Sequence, residues 1–123
     1  CSSCHRASGR GTVVGPDLTA VGDRGDRKWL VESIINPNAQ VYPQFYPRSL
    51  QLADGSSFLG FLLRSGGRSG KAFYRDITGS EVAILKSEVV SREEIAHSLM
   101  PPGLLNGLTP KEMASLIRYL ENP

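Results

Sequence analysis

Cys1-Ser2-Ser3-Cys4-His5 is the stretch on which the reading of this chain turns. Two thiols three positions apart fall on one helical turn, the spacing needed to add both to the vinyl groups of a porphyrin. The histidine that follows then lies beneath the macrocycle, where an imidazole nitrogen reaches the iron as proximal ligand. The pentad therefore predicts one covalent haem c, stapled at Cys1 and Cys4 and ligated by His5. No other cysteine occurs in the 123 residues.

Three other uses of the same residues remain open at this level. A zinc site needs two further closely spaced Cys or His ligands, and the only other histidine, His97, stands alone. A redox dithiol calls for a thioredoxin-like βαβ setting, and no such pattern follows. A structural Cys1–Cys4 link in a β-type interaction module accounts for the cysteines but not for the adjacent His5.

Length predicts one domain, or one domain with a compact insertion. A formal net charge of +2 is far from the strongly basic profile of a dedicated nucleic-acid binder, so no nucleic-acid partner is expected. The longest apolar run, Phe58 to Leu63, is broken by Gly60 and is too short to span a membrane. Because the chain opens on the attachment motif itself, it reads as a domain of a longer protein. Haem is attached covalently outside the cytoplasm, so a targeting segment is expected upstream and the location is periplasmic or otherwise exported.

Arg6 to Gly11 is polar and glycine-bearing and reads as loop. Gly15-Pro16-Asp17-Leu18 reads as a turn, and the Pro16 carbonyl is the candidate acceptor for the free N–H of the proximal imidazole. A helix is predicted from Asp26 or Arg27 to Asn36-Pro37, with Leu30 and Ile34 on its apolar face, flanked by Val31 and Ile35. Trp29 is the candidate donor to a haem propionate, with core packing as its other use. Arg24, Arg27 and Lys28 form a basic cluster that either neutralises propionates or faces solvent.

From residue 43 to 95 the texture is β. Tyr42 to Pro47 is extended, Arg48 to Leu52 and Phe58 to Leu63 form a hairpin about Asp54-Gly55, and Lys71 to Ile77 and Glu81 to Leu85 are further strands. Ser65 to Gly70 reads as loop, Ser87 to Val90 as a short helical turn, and Arg92 to Ile95 follows. Such strands predict a small twisted sheet or half-open barrel. Nothing in this segment carries clustered carboxylates, a Ser–His pair or a phosphate loop.

Ser98-Leu99-Met100-Pro101-Pro102-Gly103-Leu104 returns the chain to the cofactor. A methionine held in a loop stiffened by two prolines is suited to present its sulfur across a porphyrin face, which makes Met100 the candidate second axial ligand and His97 its rival. Thr109-Pro110-Lys111-Glu112 is a capping box opening the last helix. Met113, Leu116, Ile117 and Leu120 form that helix's buried face, so Met113 is core.

With these pieces together the chain resembles a class I cytochrome c. More narrowly, it is similar to the haem-binding domain at the ends of large exported proteins of planctomycetes and Verrucomicrobia. That pattern runs C-x-x-C-H, G-P-D-L, then Glu32-Ser33-Ile34-Ile35-Asn36-Pro37, a hairpin from Asp54-Gly55 to Gly60, Ser98 to Leu104, and a helix ending in Tyr119-Leu120. The resemblance implies a mainly α fold, a helical haem domain (1–42 and 96–123) with a small antiparallel β module (43–95) inserted, α+β overall. It implies one haem c with its iron, ligated by His5 and Met100, with Pro16 and Trp29 beside it. The expected role is single-electron transfer to a redox partner protein or fused domain, not enzymatic turnover. The alternative is a haem sensor or catalytic haem with a labile methionine.

Overall fold

The computed structural model describes every residue from Cys1 to Pro123. The chain divides into two compact units, residues 1–41 with 98–123, and residues 42–97.

In the first unit, the pentad is followed by a tight hairpin of β1 (Arg6–Ala7) and β2 (Arg10–Gly11). Ser8 and Gly9 turn it, with φ of 47° and 78°. Positive φ at both central residues is what a two-residue type I′ turn requires. The loop expected over Arg6–Gly11 is therefore a paired element, too short to show alternation in sequence.

Helix α1 (Arg27–Ile35) starts where the Asp26 carboxylate accepts the Trp29 N–H at 2.8 Å, an N-cap. It stops at Asn36 because the residue before Pro37 is driven out of helical backbone. Helix α2 (Pro110–Glu121) carries both reciprocal hydrogen bonds of its capping box, between Thr109 and Glu112, and proline in its first turn. The Thr109 N–H and hydroxyl both donate to the Glu112 carboxylate and lower its pKa. Leu30 and Leu120 meet Val21 in the core, with Leu18, Trp29, Ile34 and Leu116 packed against it. Ile117 is buried, while Met113 is half-buried rather than fully core. Ile35, expected to flank the apolar face, is 56% exposed. Arg27 reaches across to Glu121 with two parallel hydrogen bonds of 2.8 Å, so it belongs to the α1–α2 junction.

The second unit is a five-stranded antiparallel sheet ordered β6-β5-β4-β3-β7. Its strands are β3 (Arg48–Leu52), β4 (Ser57–Ser65), β5 (Lys71–Asp76), β6 (Glu81–Leu85) and β7 (Val89–Glu94). β6 and β7 are opposite edges, yet only Lys86–Glu88, a turn of 3-10 helix, separates them. A flat sheet would set those edges about 19 Å apart, whereas four residue steps reach at most about 14 Å. The sheet must therefore curl, and register shifts between Gln51 and Leu52 and between Leu62 and Arg64 supply the bends. The concave face buries Leu50, Ala72, Tyr74 and Ile84, with Leu52, Phe58, Val82 and Val89 around them. Phe58 meets Tyr74 edge-on at 5.3 Å. One 3-10 turn, Pro43–Phe45, replaces the extended run expected there, and another, Gly67–Ser69, occupies the expected loop.

The mainly α expectation is overturned: α1 and α2 hold 9 and 12 residues, and the five-stranded sheet with the β1–β2 hairpin makes the chain mostly β. The physical reason is that only these two segments carry helical spacing and caps, while residues 48–94 are sheet and turn residues fill the first 25. Gly9, Gly11, Gly15, Pro16, Gly22 and Gly25 leave no stretch in which helix is cheaper than turn.

Two outcomes are expected from this packing. Leu50, with no exposed surface, loses about 2–5 kcal/mol on Leu50→Ala, read by denaturant unfolding. Hydrogen bonds from Arg27 hold the Glu121 carboxyl below its ordinary 4.5. A depressed carboxylate contributes stability above its unfolded value and loses it as pH falls through the folded one. Glu121→Gln should therefore lower the melting temperature slightly at pH 7, followed by Trp29 fluorescence, and the gap to wild type should close as pH drops below 4.5.

Candidate functional site

Backbone hydrogen bonds shape the pentad. The N–H groups of Cys4 and His5 both donate to the Cys1 carbonyl, at 3.0 and 2.8 Å, closing one turn. Cys1 and Cys4 are exposed free thiols, so the Cys1–Cys4 link is not formed, and His5 is half-buried.

The β1–β2 hairpin then reverses the chain and lays residues 12–18 along the pentad. Thr12 N–H donates to Ser2 O at 3.0 Å, Gly15 N–H to Cys4 O at 2.7 Å, and Leu18 N–H to Arg6 O at 2.7 Å. Asp17 accepts the Thr19 N–H at 2.7 Å, and the Thr19 hydroxyl accepts the Ser8 N–H at 2.9 Å. The bonds from Thr19 lower the Asp17 pKa, with Arg6 and Arg24 assisting.

This folding back seats the imidazole. Nδ1 of His5 lies 2.8 Å from the Pro16 carbonyl oxygen. A carbonyl only accepts, so in the neutral ring Nδ1 carries the proton and Nε2 keeps its lone pair. Gly15 makes the approach possible: a Cβ there would stand 2.6 Å from Cε1 of the ring. In sequence Gly15 is only part of a turn, and its neighbour Pro16 is the signal, since a carbonyl that must meet a ring needs an unobstructed residue beside it.

Met100 is half-buried, and its N–H donates to the Ser98 hydroxyl at 3.1 Å. Ser98 N–H in turn donates to Asn38 Oδ1 at 2.8 Å. Trp29 sits over Gly25 in the α1–α2 core, and its indole N–H points to Gln40 Oε1 at 3.4 Å. No hydrogen bond joins it to the pentad. His97 is exposed, three residues past the end of β7. Of the basic cluster, Arg27 is taken by Glu121, leaving Arg24 and Lys28 exposed. A shallow hollow along α1, lined by Lys28, Val31, Glu32 and Ile35, includes no residue of the pentad.

These side chains fit a covalently held porphyrin. Two exposed thiols precede an imidazole whose one nitrogen is fixed on the Pro16 carbonyl and whose other makes no hydrogen bond. Leu99, Leu104 and Leu108, around the Met100 loop, are 37%, 43% and 37% exposed, apolar surface suited to a flat apolar group. Nowhere do three or more His, Cys, Asp or Glu gather as metal ligands, so the zinc reading lacks its remaining donors.

No curated protein matches the chain. Residues 1–52, less than half of it, match the family model described as Cytochrome c. That match supports a c-type cytochrome and haem-based electron transfer, and implies a covalently bound haem c with its iron.

Proposed function

We propose that the chain is a monohaem electron-carrier domain of a larger exported or periplasmic protein, not itself an enzyme, with His5 and Met100 as axial ligands. It is the kind of domain found at the ends of large exported proteins of planctomycetes and Verrucomicrobia. The observation that carries the reading is the 2.8 Å bond from His5 Nδ1 to Pro16 O beside two free thiols. When bound, the haem supplies an iron that gains and loses one electron at a time.

The chain's residues then have distinct work. Cys1 and Cys4 would hold the haem through two thioethers, each thiol adding across a vinyl group with its sulfur on one carbon and its hydrogen on the other. Pro16 keeps the proton on Nδ1, orients the ring and raises the basicity of Nε2. Met100 offers a soft thioether, which raises the reduction potential relative to a second histidine. Pro101 and Pro102 limit the entropy lost in holding that loop. With His5 and Met100 both holding the iron, no position would be left on it for a substrate, which favours carrying electrons over turnover. Trp29 Nε1, whose bond to Gln40 Oε1 is long at 3.4 Å, retains the capacity to donate to a propionate. A redox partner protein or fused domain delivers and removes the electron.

Two experiments check this. Protein made in a host that matures cytochromes should be red and keep its haem through acid-acetone extraction, whereas Cys4→Ala should release part or all of it. A wild-type protein that yields no covalent haem sinks the reading. Wild-type ferric protein should also show the weak far-red band of methionine–iron bonding, and ferrous protein should not change under CO. Met100→Ala should lose the band and lower the potential. Met113→Ala should keep it and cost about 1–2 kcal/mol, below the range for a fully buried methionine. Exchange of those two outcomes would move the ligand to Met113.

A further inference from the structure

We propose that Asn38 is the positioning residue for the Met100 loop, a clasp that holds the methionine where the His5/Met100 reading needs it. The inference rests on that reading and extends it to a residue outside the ligand set.

Asn38 and Ser98 are sixty positions apart in sequence, and the Asn38 Oδ1 to Ser98 N–H bond of 2.8 Å joins them. Between them runs the whole of the unit formed by residues 42–97. On its C-terminal side the loop runs into α2, but at Ser98 the chain arrives from that long detour, and no sequence-local contact on that side sets its register. The bond sets it, tying the chain where it leaves the haem-proximal unit to the chain where it returns.

Both ends of the bond are stiff. On one side, α1 ends at Asn36, whose carbonyl accepts the Ala39 N–H at 2.9 Å. That turn carries the buried Pro37 inside it, so φ is locked one residue before Asn38. On the other side, the Ser98 hydroxyl accepts the Met100 N–H at 3.1 Å, and Pro101 and Pro102 follow. The path from α1 to the methionine is thus Pro37 turn, Asn38 amide oxygen, Ser98 N–H, Ser98 hydroxyl, Met100 N–H. Asn38 accepts through a side-chain oxygen, so aspartate can replace it and alanine cannot.

The test compares holoprotein of wild type, Asn38→Ala, Asn38→Asp and Met100→Ala. Added imidazole competes with the methionine, and the far-red band reports its release. Asn38 is exposed, so water competes for the bond. Asn38→Ala should lose the band at about three- to tenfold lower imidazole, and Asn38→Asp should match wild type. Amide hydrogen exchange over residues 98–104 should quicken in Asn38→Ala but not in α2.

Unchanged imidazole sensitivity and exchange in Asn38→Ala overturn the proposal, as does exchange that quickens equally throughout α2. A band absent from wild type, or kept in Met100→Ala, overturns the ligand reading instead. Exchange at 98–104 then still decides whether Asn38 clasps the loop.

Discussion

The hydrogen bond between His5 Nδ1 and the Pro16 carbonyl is the constraint on which the first unit is arranged. It demands that a chain which has just left a tight turn come back within eleven residues. The backbone satisfies that demand with a two-residue hairpin turned by Ser8 and Gly9. Gly15 then lets the ring lie directly on main chain. Bonds from Thr12, Gly15 and Leu18 to Ser2, Cys4 and Arg6 keep the return strand in place. The ring's tautomer follows from this backbone arrangement alone, because the partner has no proton to give.

Part of this was legible in the amino-acid order, and the legible part was local chemistry. The capping box at Thr109 and Glu112, proline in its first turn, and the helix stop before Pro37 are rules of short range, and both helices obey them. The hairpin turn at Asp54-Gly55 is of the same kind: Gly55 takes φ of 86°, and Asp54 accepts the Ser56 N–H. What failed was the balance of the whole. A resemblance to a helical family implies a mainly α chain, yet only Arg27–Ile35 and Pro110–Glu121 carry helical spacing and caps. Periodicity also could not show that β6 and β7, neighbours in sequence, are opposite edges of one curled sheet.

Trp29 illustrates a different limit. Its amphipathic indole invites a polar partner, and sequence cannot choose between a propionate and a neighbouring side chain. The fold sets the ring over Gly25 and its N–H toward Gln40. Arg27 was ambiguous in the same way, and its partner, Glu121, lies ninety-four positions away. Long-range ion pairs of this sort leave no local signature.

The curled sheet explains how a large β segment can stand between α1 and the Met100 loop. Closing a longer loop is cheap, about 0.6 kcal/mol for each doubling of its length, provided the inserted residues order themselves. The second unit does so with its own core, centred on the fully buried Leu50 and completed by the edge-on pair of Phe58 and Tyr74. It draws on no residue of the pentad or of the loop that follows it. The first unit is then left with one structural problem, the register of the returning chain, and a single amide oxygen at the end of a proline turn is placed to solve it.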